Sequence, residues 1–179
     1  FHAGDITDGV RVYLGQEQEV KLFGQDDQID HVVEFYPERE RVKTSFITGN
    51  HDLREYERGG SDIGREIEAK RGDMKYLGQI DTRVKLTEAG LTLELLHPKG
   101  SPAYALSYKA QRDINARTSE DLPDILAYGH YHNAFYMKYR GVEFIQVPCF
   151  KDAGHFERRL GLNPVIGGWE VEIQTTEDG

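Results

Sequence analysis

Three short apolar runs in this chain each stop at a histidine-bearing motif, and that arrangement limits the fold more than any other feature. Ser45-Phe46-Ile47 runs into Gly49-Asn50-His51-Asp52, residues 91–96 end at His97-Pro98, and Ile125–Tyr128 runs into Gly129-His130-Tyr131-His132. Short apolar runs bounded by turn residues read as buried strands. Strands that end in polar loops suit an open α/β sheet, whose ligand site forms beyond the carboxyl ends of the strands. Segments far apart in sequence are therefore expected to meet in space.

The intervening stretches supply helices and further strands. Residues 16–36 read as mostly helical, with Val20, Phe23, Val32, Val33 and Phe35 facing inward, and residues 38–41 form a charged connector. Residues 61–71 read as a polar helix opened by a serine or aspartate cap, and 107–116 as another helix. Residues 134–139 and 142–147 flank Arg140-Gly141 as a hairpin would, and 169–174 alternate like an outer strand. No internal repeat or Pro/Ser-rich linker breaks the chain. With 179 residues, 38% of them hydrophobic, one domain over 1–179 is expected.

Composition narrows the function. A net charge of −9 and a pI near 5.3 argue against a broad surface that binds duplex phosphates through counterion release. They leave room for a nucleic-acid end or a nucleotide held mainly by metal ions. The one cysteine, Cys149, rules out an internal disulfide and suits a reducing compartment, so a cytoplasmic location is expected. Cys149 itself reads as a small buried residue. No apolar run approaches the roughly 18–20 residues of a membrane helix, so no membrane partner is expected.

A fourth motif, Gly4-Asp5-Ile6-Thr7-Asp8-Gly9, opens the chain. Taken singly, each motif has an ordinary explanation. Gly-Asp near Asp-Gly makes turns, Asn-His-Asp can cap a helix, a lone His97 can be structural, and His-x-His can be a surface loop. Together they gather His51, His97, His130 and His132, four of the chain's seven histidines. Carboxylate, amide oxygen and imidazole suit borderline divalent metals, with no thiolate needed.

In this order the motifs resemble those of the calcineurin-like metallophosphoesterase superfamily, over residues 4–132, and the hairpin that follows also fits. The resemblance implies a four-layer α/β/β/α sandwich of two mixed sheets, with the hairpin and the strand at Trp169 in the second. It implies two divalent ions, drawn from manganese, iron, zinc or nickel, with manganese favoured. Asp5 would bridge them; Asn50, His97 and His130 would complete one shell, and His132 would belong to the other. His51 would act as general acid on the leaving-group oxygen, and Asp8 would hydrogen-bond His51 and favour its charged form. The implied activity is hydrolysis of phosphate mono- or diesters by a metal-activated water. Its substrate would be a nucleotide, a nucleic-acid end or a small phosphoester.

Departures from the family pattern carry information as well. Its opening Asp-x-His is absent from residues 1–179 and is expected roughly 20–40 residues upstream, an allowance for one strand and one helix. Within 1–179 the second metal keeps only Asp5 and His132, and is expected to bind more weakly. Protein serine/threonine phosphatases continue the first motif as Asp-Arg-Gly; Asp8-Gly9-Val10 sets this chain apart from them. Arg54 is the candidate substrate contact, with a solvated, salt-bridged loop as its alternative. Lys151, His155, Arg158 and Arg159 could flank the site and bind a polyanion, or form ordinary surface. The competing functional class is a catalytically inactive scaffold of the same fold that binds protein. Retention of His51 beside Asp8 argues against it, because a scaffold needs no proton donor.

Overall fold

The computed structural model describes residues 1–174. The elements in order are β1 (His2–Ala3), α1 (Gln25–Phe35), β2 (Thr44–Thr48), α2 (Leu53–Tyr56), α3 (Ile63–Lys70), β3 (Met74–Gln79), β4 (Asp81–Lys85) and β5 (Thr92–Leu96). They continue with α4 (Tyr108–Ala116), β6 (Ile125–Tyr128), β7 (Phe135–Tyr139), β8 (Val142–Gln146) and α5 (His155–Arg159). Single 3₁₀ turns lie at Gln16–Gln18 and Ser119–Asp121.

Two sheets result. One has the order β1-β2-β3 and is parallel throughout. The other has the order β4-β5-β6-β8-β7, with parallel pairs at its centre and an antiparallel strand at each edge. Strand periodicity assigns the side chains to layers. Phe46 packs with Ile29 and Val32 of α1 and with Ile63 and Ile67 of α3. Ile47, the next residue, turns the other way and packs with Leu93, Leu95, Ile125, Ala127 and Ile145 of the second sheet. Leu126 and Phe144 point away from that cluster and meet Ala110 and Ile114 of α4.

A single residue, Ile80, links the two sheets between β3 and β4. Its φ is +65°, a left-handed conformation that a β-branched side chain rarely adopts. Such a residue costs about 1–3 kcal/mol and persists only where its surroundings over-determine it. Here its N–H donates to the Thr48 carbonyl at 2.9 Å, and its carbonyl accepts from the His97 N–H at 2.7 Å. The strained corner thus ties the exits of β2 and β5, the two strands that deliver Asn50 and His97.

Several sequence expectations are corrected. Helix 16–36 is broken: residues 19–24 are not helical, and α1 begins only after Gly24. Phe23 and Phe35, expected inside, are 56% and 62% exposed, while Val20 and Val32 are buried. Residues 169–174 form no strand; Trp169 is instead anchored by its indole N–H to the Gln146 carbonyl at 3.0 Å. Alternation alone does not make a strand: the isolated bridge that precedes this segment, among the described residues, joins Cys149 and Ile166. Cys149 is half-buried rather than buried. Strands β3 and β4 were not anticipated, and the first sheet is parallel rather than mixed. The hairpin, α4, and α3 with its Asp62 cap lie where the sequence put them. Among the described residues, no helix is long and apolar enough to cross a membrane.

Candidate metal centre

The loops after β1, β2, β5 and β6 converge. Asp5, His97 and His130 each offer one ligand atom, and these atoms lie within 4.8 Å of one another. His97 Nε2 lies 3.1 Å from Asp5 Oδ2 and 3.0 Å from Asn50 Oδ1. Main-chain carbonyls determine the histidine tautomers, because a carbonyl can only accept. His97 Nδ1 faces the Ala3 carbonyl at 2.8 Å and therefore carries a proton. That leaves the Nε2 lone pair directed at two further acceptors, the Asp5 carboxylate and the Asn50 amide oxygen. Three acceptors aimed at one point, His97 buried and Asp5 and Asn50 half-buried, repel one another unless a cation lies among them.

Only two cations suit that position, a proton or a metal ion. Burial lowers the His97 pKa, but the hydrogen bond and charge of Asp5 outweigh it and the net shift is upward. Burial likewise raises Asp5, yet contacts with His97 and His51 hold its carboxyl well below the usual range. The pair thus keeps one positive charge between its atoms. The donor set of carboxylate, amide oxygen and imidazole fits a borderline divalent ion in the proton's place. His130 is ready for such a role. Burial and the charge of His97 push its pKa down to about 4, so the ring is neutral at pH 7. Its Nε2 donates to the Gly100 carbonyl at 3.0 Å, leaving Nδ1 as the free lone pair.

The surrounding backbone is shaped to permit this convergence. Asp5, His130 and His132 have φ of +57°, +73° and +55°, strained positions clustered at one site. A Cβ at Gly49 would sit 2.3 Å from Asp5 Oδ1, and one at Gly129 would sit 2.1 Å from the Ala3 carbonyl that orients His97. Neither position tolerates a side chain.

His51 lies beside the cluster. Its N–H donates to Asp5 Oδ1 at 2.9 Å, and its Nε2 is 4.0 Å from Asp5 Oδ2. Its Nδ1 donates to Asp8 at 2.7 Å, but to the main-chain carbonyl rather than the carboxylate. The expected carboxylate contact is thereby corrected: Asp8 Oδ1 instead lies 3.5 Å from Lys151 Nζ. His132 stands outside the three-residue group, yet near enough for Asp5, Glu157, His51 and Lys151 to act on it. Burial is the main cause of its lowered pKa, so its ring too favours the neutral form. Arg54 is engaged locally. Its Nε donates to the Arg11 carbonyl at 3.3 Å and its Nη1 is 3.7 Å from Glu57, the contacts of a salt-bridged loop.

Asp52 closes the Gly49-Asn50-His51-Asp52 motif and was not singled out from the sequence. It is 1% exposed and accepts from the main-chain N–H groups of Ile6, Thr7 and Gly49 and from the Thr7 hydroxyl, at 2.7–3.1 Å. It therefore staples the loop carrying Asp5 to the loop carrying Asn50 and His51. Burial and the charge of Asp5 push its pKa up to about 6, against the pull of those hydrogen bonds.

No family model matches the chain. Three curated relatives are each named DNA polymerase II small subunit. The protein from Methanothermobacter thermautotrophicus is 22% identical over 196 residues, covering 92% of this chain and 41% of the relative. That from Thermoplasma acidophilum is 23% identical over 194 residues, covering 90% and 39%. That from Archaeoglobus fulgidus is 26% identical over 200 residues, covering 94% and 41%. The chain spans about two fifths of the length of these relatives. A conserved uncharacterized protein from Streptococcus pneumoniae TIGR4, described as a predicted phosphoesterase, is 14% identical with a TM-score of 0.41. That match covers 73% of this chain and 71% of that one. Likeness at that level carries no argument about fold.

Proposed function

We propose that this chain carries the metal-binding core of a calcineurin-like phosphoesterase, built as an α/β/β/α sandwich and hydrolysing phosphate esters, with nucleic-acid strands as the favoured substrate. The observation that supports it best is the convergence of Asp5 Oδ2 and Asn50 Oδ1 on Nε2 of His97, a position that only a proton or a metal ion can fill. A bound divalent ion, manganese being favoured, would supply the Lewis-acid charge that activates water and steadies the phosphate oxygens.

The protein residues do the rest. Asp5, Asn50, His97 and His130 would hold one ion, and Asp5 with His132 would contribute to a second. His51 keeps its Nδ1 proton on the Asp8 carbonyl. Its Nε2 is thereby turned to the same side as Asp5 Oδ2, where it can carry a second proton. From there it would protonate the departing oxygen, a contribution typically worth about 10²–10⁴-fold. The choice of nucleic acid draws on the name that the curated relatives share. That same name favours a second reading, in which the fold serves as an accessory subunit without hydrolysis.

One experiment separates the two. Hydrolysis of bis-p-nitrophenyl phosphate and p-nitrophenyl phosphate is measured on the protein with manganese supplied, alongside metal content by mass spectrometry. Bound metal with manganese-dependent turnover of either ester supports the enzyme. Bound metal without turnover of either, or of a labelled oligonucleotide, leaves the accessory reading.

A further inference from the structure

Residues 150–164 form an excursion between Cys149 and Val165, beyond the end of β8 at Gln146, and the two ends are tied together. The Cys149 N–H donates to the Val165 carbonyl at 3.0 Å, the Gly167 N–H to the Cys149 carbonyl at 3.0 Å, and the Val165 N–H to the His132 carbonyl at 2.8 Å. A surface segment of this length with joined ends is an Ω-loop, a class that often carries function. This one contains α5, closed by the Gly154 N–H donating to Glu157 Oε2 at 2.9 Å.

The Ω-loop does not project freely. It folds back on residues 8–19, with the Phe156 ring 4.3 Å from that of Tyr13. The Phe156 N–H and the Tyr13 hydroxyl donate to the two oxygens of Glu19, at 2.8 and 3.0 Å. The Tyr13 ring in turn lies 6.3 Å from the His51 ring. Lys151 Nζ rests 3.5 Å from Asp8 Oδ1, on the residue whose carbonyl holds His51. A cation, an aromatic pair and the candidate proton donor therefore line one wall.

Charge sets the Ω-loop itself, though not the acidic residues 8–19 on which it rests, apart from the rest of the molecule. The chain carries −9 overall. Within the loop Lys151, Arg158 and Arg159 stand against Asp152 and Glu157, and Glu157 is buried in the cap contact. Arg158 and Arg159 are exposed. The Asp8–Lys151 pair is long and half-exposed, so a phosphate oxygen can displace the carboxylate at little cost.

We infer that the Ω-loop 150–164 and Tyr13 form a subsite for the leaving-group side of a single-stranded nucleic acid. Lys151 takes the phosphate next to the scissile one, and Tyr13 stacks with the intervening base. The assignment of sides rests on the role proposed above for His51. Alternating cationic and aromatic contacts are how proteins hold single strands. A duplex fits poorly, because its bases are already stacked and a chain of −9 opposes a wide phosphate footprint.

The test is binding with metal chelated, so that it reads the wall and not catalysis. A fluorescein-labelled oligothymidylate is titrated by fluorescence anisotropy across a salt series. Lys151→Ala should weaken binding about fivefold to tenfold and make the slope of log Kd against log salt shallower by about 0.7, one single-strand phosphate contact. Lys151→Arg should restore the slope. Tyr13→Leu should weaken binding about tenfold while Tyr13→Phe does not, since the ring and not the hydroxyl stacks. No binding by the parent protein, or an unchanged affinity and slope in Lys151→Ala, overturns the subsite. Tyr13→Leu is read beside its melting temperature, and the surface variant Lys151→Ala decides the matter alone if Tyr13→Leu fails to fold. Failure of the hydrolysis experiment with this pattern intact would discard the enzymatic reading and keep the strand-binding wall.

Discussion

The two sides of the site are held in place by different kinds of structure. Asp5, Asn50 and His97 sit at the exits of paired strands, with His97 1% and Asp5 14% exposed at their side chains. Carbonyls, the Asp52 staple and the Ile80 corner fix them. His51 and Lys151 stand at the open side, at 19% and 34% exposure, and loop-to-loop contacts position them. The buried side is preorganised around a positive charge that it cannot do without. The open side is arranged so that a proton and a substrate can come and go. Substitutions on the two sides should therefore fail in different ways.

The largest effect belongs to the buried side. Asp5→Asn removes the only carboxylate of the cluster, and metal and activity should vanish together whatever the leaving group, as mass spectrometry and turnover will show. Retained metal would break the comparison at its root. His51→Ala should come next, lowering the rate about 10²–10⁴-fold for esters with poor leaving groups while leaving metal content near normal. A p-nitrophenolate leaving group, which departs without a proton, should be far less affected. Equal losses for both would return His51 to the metal-binding side.

The competition between proton and metal at His97 gives a pH signature. The folded His97 pKa is raised, so below that value the proton holds Nε2 and must be displaced. Metal affinity should rise with pH through the raised pKa, about tenfold per unit below it, and level off above. Below that pKa, calorimetry in buffers of different ionisation enthalpy should count about one proton released on binding. None released would mean that His97 does not ligate. Asp52→Asn should act on stability first. It puts an amide NH₂ among four donors and should cost about 1–3 kcal/mol in denaturant unfolding. Smallest of all, Asp8→Asn should change His51-dependent turnover by less than about threefold, because the carbonyl that holds the ring is kept. A loss as large as that of His51→Ala would show that the carboxylate acts after all.

How much was legible in the sequence can be seen in particular residues. Mainly apolar runs stopping at His97 and Gly129 announced β5 and β6, because a strand covered on both faces is rich in apolar side chains; Glu94 in β5 is buried only by pairing with Arg83 and Arg117. Residue types in the four motifs announced metal chemistry, because softness and charge belong to the side chain itself. The hairpin at Arg140-Gly141 and the Asp62 cap were legible for the same local reason. β3 escaped notice because Met74–Gln79 mixes Lys, Gly and Gln into its alternation, and its pairing with β2 supplies the order that its own residues lack.

The sequence by itself thus determined which side chains are available to bind a cation and which strands bring them to one end of the sheets. Only the tertiary structure decided which atoms face inward. The Ala3, Asp8 and Gly100 carbonyls choose the tautomers of His97, His51 and His130, and every residue has a carbonyl, so no residue type announces them. The docking of Phe156 on Tyr13 and of Lys151 on Asp8 joins positions more than a hundred residues apart. Such contacts depend on how sheets and loops pack in three dimensions, and local propensity along the chain carries no record of that.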